Sequence, residues 1–122
     1  MEEWREVAEF EGAYLINSRG DLLSTERIIK HPKGTCRLRQ KLLAKVINKK
    51  GYVEYQITYN SKHYSRLAHR LVAEAFIPKI EGKPMVNHIN GIKTDNRVEN
   101  LEWCSNRENI IHAYRNGLIK KK

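Results

Sequence analysis

Val53, Tyr55, Ile57 and Tyr59 alternate with Glu54, Gln56 and Thr58. A period of two predicts a half-buried strand, and Asn60-Ser61-Lys62 predicts the turn that folds it into a hairpin. The period then changes. Leu67, Ala68, Leu71, Val72, Ala75 and Phe76 recur at helical spacing and predict a short amphipathic helix over Arg66 to Ile77, stopped by Pro78. Upstream, Tyr14-Leu15-Ile16-Asn17 and Leu22-Leu23-Ser24 flank Ser18-Arg19-Gly20-Asp21 and predict two short strands around a glycine turn. His31-Pro32-Lys33-Gly34 is expected to be a linker, and Lys41 to Ile47 fits helix and strand equally.

The last third carries the most punctuation. Met85 to Ile89 predicts a strand, Asn90-Gly91 a tight turn, Lys93 to Asn100 a polar loop and Leu101 to Cys104 a second strand. Ser105-Asn106-Arg107-Glu108 then has the spacing of a capping box, in which a Ser hydroxyl and a Glu carboxylate satisfy free amides at a helix start. It opens a helix from Asn106 to about Asn116, with Gly117 as its stop. In this strand, loop, strand, helix unit His88 falls on the first strand and Asn100 just before the second. Asn109 falls in the first helical turn, facing back toward the hairpin if Ile110 and Ala113 pack inward.

Composition narrows the class. With 122 residues, 40% of them hydrophobic, the chain has room for one domain with a small appended module and a modest core. No apolar run approaches the ~18 residues of a membrane span, and Met1-Glu2-Glu3-Trp4 has neither a basic leader nor an apolar signal segment. Cys36 and Cys104 stand far apart, too few for a disulfide framework or an all-Cys zinc site. A reduced, cytoplasmic setting is expected. Charge is unevenly spread: residues 27 to 53 hold nine bases and no acid, within a chain of formal net charge +9. That favours a polyanion, nucleic acid above all, over a membrane surface, because the basic stretch lacks a long apolar helical face.

The ordered set His69-Arg70-Leu71-Val72-Ala73-Glu74-Ala75-Phe76-Ile77-Pro78, Val86-Asn87-His88-Ile89-Asn90-Gly91, Asn96-Arg97-Val98-Glu99-Asn100-Leu101-Glu102-Trp103 and Ser105 to Asn109 resembles the HNH nucleases, the ββα-metal group. The likeness is strongest to the endonucleases of phages and mobile introns. It covers about half the chain. Trp4 to Val7, Phe10 to Tyr14 and Asn17 to Gly20 look like the small nuclease-associated modules that precede such domains. The resemblance implies an α+β fold: a small N-terminal β module with a basic linker over residues 1–50, then a ββα-metal nuclease core over 51–122, buttressed by a β-hairpin and helix.

It also implies metal-dependent hydrolysis of DNA phosphodiester bonds, leaving 5′-phosphate and 3′-hydroxyl ends. Such hydrolysis needs an activated water on one side and neutralised charge on the phosphate and the departing oxygen on the other. Histidine, with a pKa of about 6.5, suits the first task and a hard cation, Mg²⁺ or Mn²⁺, the second. By resemblance His88 is the general base, Asn100 the residue that orients it and braces the loop, and Asn109 a metal ligand. The position before the histidine, often Asp in the family, is Asn87, an uncharged second ligand that should hold metal weakly: either the metal arrives with the DNA phosphate and its charge, or the site is impaired. His69 and His112 are secondary candidates. Arg37, Arg39, Lys41, Lys45, Arg66, Arg70, Lys93, Arg97 and Arg107 are expected to hold double-stranded DNA through its phosphates. No protein partner is implied. A non-catalytic DNA-binding regulator on the same scaffold, or an RNA-binding protein, are the rival readings.

Overall fold

The computed structural model describes residues 3–115. In chain order it contains β1 (Trp4–Glu6), a 3-10 turn (Ala8–Phe10), β2 (Tyr14–Asn17), β3 (Leu22–Ser24), β4 (Arg27–His31), β5 (Gly34–Leu38), β6 (Lys41–Leu42) and β7 (Val46–Ile47). There follow β8 (Val53–Tyr59), β9 (Lys62–Leu67), α1 (Ala68–Phe76), β10 (Met85–His88), a 3-10 turn (Val98–Asn100), β11 (Leu101–Cys104) and α2 (Asn106–Arg115). The expected α+β class is found. The helix stop expected at Gly117 and the tract Lys120 to Lys122 lie outside the described residues, as does the packing of the Ala113 side chain.

The strands form four sheets, in the orders β1-β2-β3-β6, β7-β8-β9, β4-β5 and β10-β11. The central hairpin obeys its pattern: Val53, Tyr55 and Ile57 are buried, and Asn60 and Ser61 both take positive φ, 51° and 63°, as a two-residue hairpin turn requires. Two expectations change. The helix begins at Ala68 rather than Arg66, because Arg66 and Leu67 still pair with Tyr55 and Glu54 in the β8–β9 ladder. His31 to Gly34 is no linker: His31 pairs with Gly34 across a Pro32-Lys33 turn, closing the β4–β5 ribbon. The ambiguous stretch at Lys41 to Ile47 resolves into β6, paired with β3, and β7, paired with β8.

Helix α1 sits at the centre and packs on β1, β2, β8, β9, β10 and β11. Its Ala68, Leu71, Val72 and Ala73 are buried, and the core continues through Ile16, Leu22, Ile57, Leu101 and Trp103. Polar ties fix the layers. Trp103 donates its indole N–H to the Ile77 carbonyl at 3.0 Å, holding β11 on the end of α1. Arg5 reaches the Ala75 carbonyl at 2.8 Å with its guanidinium over Phe76, tying β1 to the same helix. Among the described residues no helix is long and apolar enough to cross a membrane.

Candidate active site

Strand alternation divides β10 and β11 into two faces. Register pairs His88 with Leu101 and Val86 with Trp103, so these share the face turned to α1, while Asn87 sits opposite Glu102 on the other. His88 is 5% exposed and Asn87 6%. The His88 ring lies 4.8 Å from that of His69 on α1 and 5.9 Å from Tyr52, with which it stacks.

The hydrogen bond to His88 comes from Asn96. Its Oδ1 lies 2.8 Å from His88 Nε2 and is itself buried. With that oxygen as acceptor, Nε2 carries the proton of the neutral ring and Nδ1 keeps its lone pair. Burial pushes the His88 pKa below the ordinary imidazole value; the Asn96 bond and the nearby Asp95 charge offset part of that shift. The ring is therefore neutral at neutral pH.

Asn100 is bonded within the loop between β10 and β11. Its Oδ1 accepts from the Asn90 N–H at 3.0 Å, and its Nδ2 donates to Asn90 Oδ1 and to the Asp95 carbonyl, both at 2.9 Å. It makes no hydrogen bond to His88. The loop is closed further by Arg97, which forks onto both oxygens of Asp95 at 2.8 Å, and by Asn90 Nδ2 on the same carboxylate at 2.9 Å. These bonds hold the Asp95 carboxyl far below the usual carboxylate range.

Asn87 donates from Nδ2 to Glu102 Oε1 at 3.0 Å, which leaves its Oδ1 with no hydrogen bond among the described residues. Asn109 is placed by the capping box: the Ser105 hydroxyl accepts from Glu108 N–H at 3.1 Å, and Glu108 returns an acceptor to Ser105 N–H at 3.1 Å. Ile110, expected to pack inward, is 42% exposed. Asn109 lines a cleft of about 670 Å³ with Lys49, Lys50, Tyr52, His69 and Arg70. No hydrogen bond joins it to Asn87. His112 bonds through Nε2 to the Ile89 carbonyl at 2.8 Å, tying α2 to the residue after His88.

His69 is buried, and its Nδ1 has no hydrogen-bond partner among the described residues. Burial, with lesser contributions from His88 and Arg70, pushes its pKa down to about 3, so it too is neutral. Of the basic candidates, Lys93 reaches the Lys50 carbonyl at 2.8 Å and lies over the Tyr52 ring, at the cleft edge. Arg70 reaches the Pro84 carbonyl at 2.8 Å and stacks near Trp103. Arg37 is paired with Glu26, Arg66 with Glu9, Lys45 with Asp21 and Arg97 with Asp95. Arg39, Lys41 and Arg107 are exposed.

In the sequence Asn96 falls within the polar loop expected over Lys93 to Asn100, with no role of its own. An amide eight residues past His88 in a polar loop was the available signal, but only the closed loop brings it back to the ring.

Residues 66–110 match the family model of the HNH endonucleases, and residues 2–58 match the NUMOD4 motif. An uncharacterised HNH endonuclease of Acanthamoeba polyphaga mimivirus is 57% identical over 53 residues, covering 42% of this chain and 13% of its own length. The DNA endonuclease I-HmuI of Bacillus phage SP01 is 26% identical over 119 residues, 96% of this chain and 60% of the phage enzyme. A solved structure described as DNA binding and cleavage by the HNH homing endonuclease I-HmuI superimposes with a TM-score of 0.77 at 28% identity, over 98% of this chain and 62% of that one. This chain thus spans less than two thirds of each of these relatives. The His88 site lies inside the segment that matches the HNH endonucleases, and the β2–β3 module inside the segment that matches the NUMOD4 motif.

Proposed function

We propose that the protein is a DNA endonuclease that hydrolyses phosphodiester bonds of double-stranded DNA, with His88 as general base. In this reading residues 1–50 form the nuclease-associated module and residues 51–122 the nuclease. The observation that carries it is the buried, neutral His88 ring, held through Nε2 by Asn96 so that Nδ1 is left to accept a proton from water. Cations around the neighbouring cleft, Lys49, Lys50 and Arg70, suit a phosphate. His69, neutral beside the base, adds no competing charge.

Among the described residues no three His, Cys, Asp or Glu side chains come together as a metal cluster. The donors on offer are amide oxygens, and these fit a hard cation: Asn87 Oδ1 has no hydrogen bond among the described residues, and Asn109 opens onto the cleft. Asn87 and Asn109 would hold Mg²⁺ or Mn²⁺, with Glu102 supporting Asn87 from behind. When bound, such an ion neutralises charge developing on the phosphate and the departing 3′ oxygen. The chain's own groups do the rest. Asn96 sets the ring, Asn100 and Arg97 close the loop that carries Asn96, and the basic residues seat the backbone.

The test is cutting of plasmid DNA by the purified chain with Mg²⁺ or Mn²⁺, its abolition by EDTA, and its loss in His88→Ala. Binding without cutting under every divalent condition would instead support a DNA-binding regulator on this scaffold.

A further inference from the structure

The loop that carries Asn96 is not held from the nuclease side alone. The turn between β2 and β3 lies against it. Val98 donates its backbone N–H to the Ser18 carbonyl at 2.8 Å. At Gly20 the approach is closer still: a Cβ there would stand 2.8 Å from Asn96 Cβ and 3.4 Å from the Asn96 carbonyl oxygen. Gly20 also has φ of +93°, a conformation that L side chains rarely adopt.

The turn is itself rigid. Asn17 Oδ1 accepts from the N–H groups of Arg19 and Asp21 at 3.0 and 2.8 Å, and the fully buried Tyr55 donates its hydroxyl to the Gly20 carbonyl at 2.6 Å. A rigid turn pressed on one face of Asn96 fixes the residue whose other end meets His88 Nε2 at 2.8 Å. We infer that the β2–β3 turn of the N-terminal module is a positioning element of the nuclease site. Gly20, by letting Asn96 rest on bare backbone, sets where Asn96 Oδ1 meets the His88 ring.

This inference rests on the reading of His88 as base, yet its geometry can be tested apart from cleavage. Gly20→Ala in the full chain is expected to lower kcat about 10- to 100-fold, the scale of an ångström-sized misplacement at a reacting group. The Kd for DNA should stay within about threefold, since no phosphate-seating residue is touched. The ¹⁵N resonances of the His88 ring should leave the Nε2–H tautomer pattern of the wild type. Gly82→Ala is the control for backbone strain. Gly82 has φ of +80° with nothing near its would-be Cβ, so kcat and the His88 signal should hold.

A cycle completes the test. In Asn96→Ala, where the bond to His88 is already gone, Gly20→Ala should lower kcat by no more than about twofold further. A Gly20→Ala protein with wild-type kcat and ring signal overturns the inference, as does an equal loss in Gly82→Ala or full additivity in the cycle. If Gly20→Ala fails to fold, Tyr55→Phe, which frees the Gly20 carbonyl, should shift the His88 ring signal, and an unshifted signal there overturns the inference. Should His88→Ala still cleave, the base assignment falls, while the ring response to Gly20→Ala continues to judge the positioning on its own.

Discussion

Two antiparallel ribbons in this molecule, β4–β5 and β10–β11, share a backbone plan and have opposite surroundings. In β10–β11, Val86, Leu101 and Trp103 are buried under α1, and the polar side chains beside them, His88 and Asn87, are buried as well. Both are neutral: His88 pairs with the neutral Asn96, and Asn87 donates to the Glu102 carboxylate. In β4–β5 the ladder runs from Arg27↔Leu38 to His31↔Gly34, yet Ile28 is 71% exposed and Gly34 to Arg37 are all exposed. One ribbon fixes geometry and the other presents charge. Burial makes a hydrogen bond decisive because an unmet polar group there is costly, whereas exposed cations act through the summed field and tolerate movement.

The largest expected effect tests the division itself. His88→Ala should lower the cleavage rate about 10² to 10⁴-fold while the Kd for DNA stays near wild type. An active alanine variant would remove His88 from the chemistry. The pH profile sharpens the point. An ordinary imidazole would give cleavage rising between about pH 6 and 8. Burial lowers the His88 pKa, so the base is already free at pH 7 and the rate should fall only as pH drops below the ordinary imidazole range.

Metal dependence comes next. Asn109→Ala should raise the Mg²⁺ concentration for half-maximal cutting by about 10- to 100-fold, the usual scale for disturbing a metal's surroundings. Asn87→Asp does two things. It adds charge for a cation, but it also sets a second carboxylate where Asn87 Nδ2 now donates to Glu102. The variant should therefore melt lower than wild type without metal, and Mg²⁺ should raise its Tm more than the wild type's. Adding Glu102→Gln should restore the metal-free Tm. Identical Tm responses to Mg²⁺ in the variant and the wild type would remove Asn87 from the ligand set.

These predictions also mark what the sequence made legible. Strand period, the Asn90-Gly91 turn and the Ser105/Glu108 box placed His88, Asn100 and Asn109 on their elements, because each signal is local. Asn96 escaped because its partner is chosen by loop closure, through Arg97 on Asp95 and Asn100 on Asn90, and no local period reports that. His31 to Gly34 reads as a linker because Pro32 and Gly34 punctuate a charged stretch. The same Pro32-Lys33 pair suits a turn, and the ribbon needs no apolar face to close its ladder.

His69, on α1 with its ring against His88 of the buried ribbon, gives a smaller effect that is read on stability. Its pKa falls from about 6.5 unfolded to about 3 folded, chiefly by burial. The unfolded chain thus binds more protons between those values, and stability rises with pH across that window. Acidification from about pH 6.5 towards 3 should remove up to a few kcal/mol that His69→Gln retains, measured as the difference in unfolding free energy between the two proteins across pH.

The smallest effects belong to the exposed charges, where each base contributes alone. Arg39 and Lys41 make no ion pair among the described residues, whereas Arg37 and Lys45 are held by Glu26 and Asp21. A cation that meets a phosphate releases a counterion and steepens the fall of log affinity with log salt by ~0.9. A cation already held by a carboxylate must first give up that partner, so its net release is smaller. Arg39→Ala with Lys41→Ala should flatten the salt slope by up to about two units. Arg37→Ala with Lys45→Ala should flatten it by less. Neither pair should alter the ratio of affinities between related and unrelated duplexes, because backbone contacts carry no sequence information. Equal slopes in both double variants and wild type would place the DNA on another face. A changed ratio between sequences would mean that these side chains reach base edges, and the basic stretch that runs on from the exposed ribbon would then read sequence as well as grip the backbone.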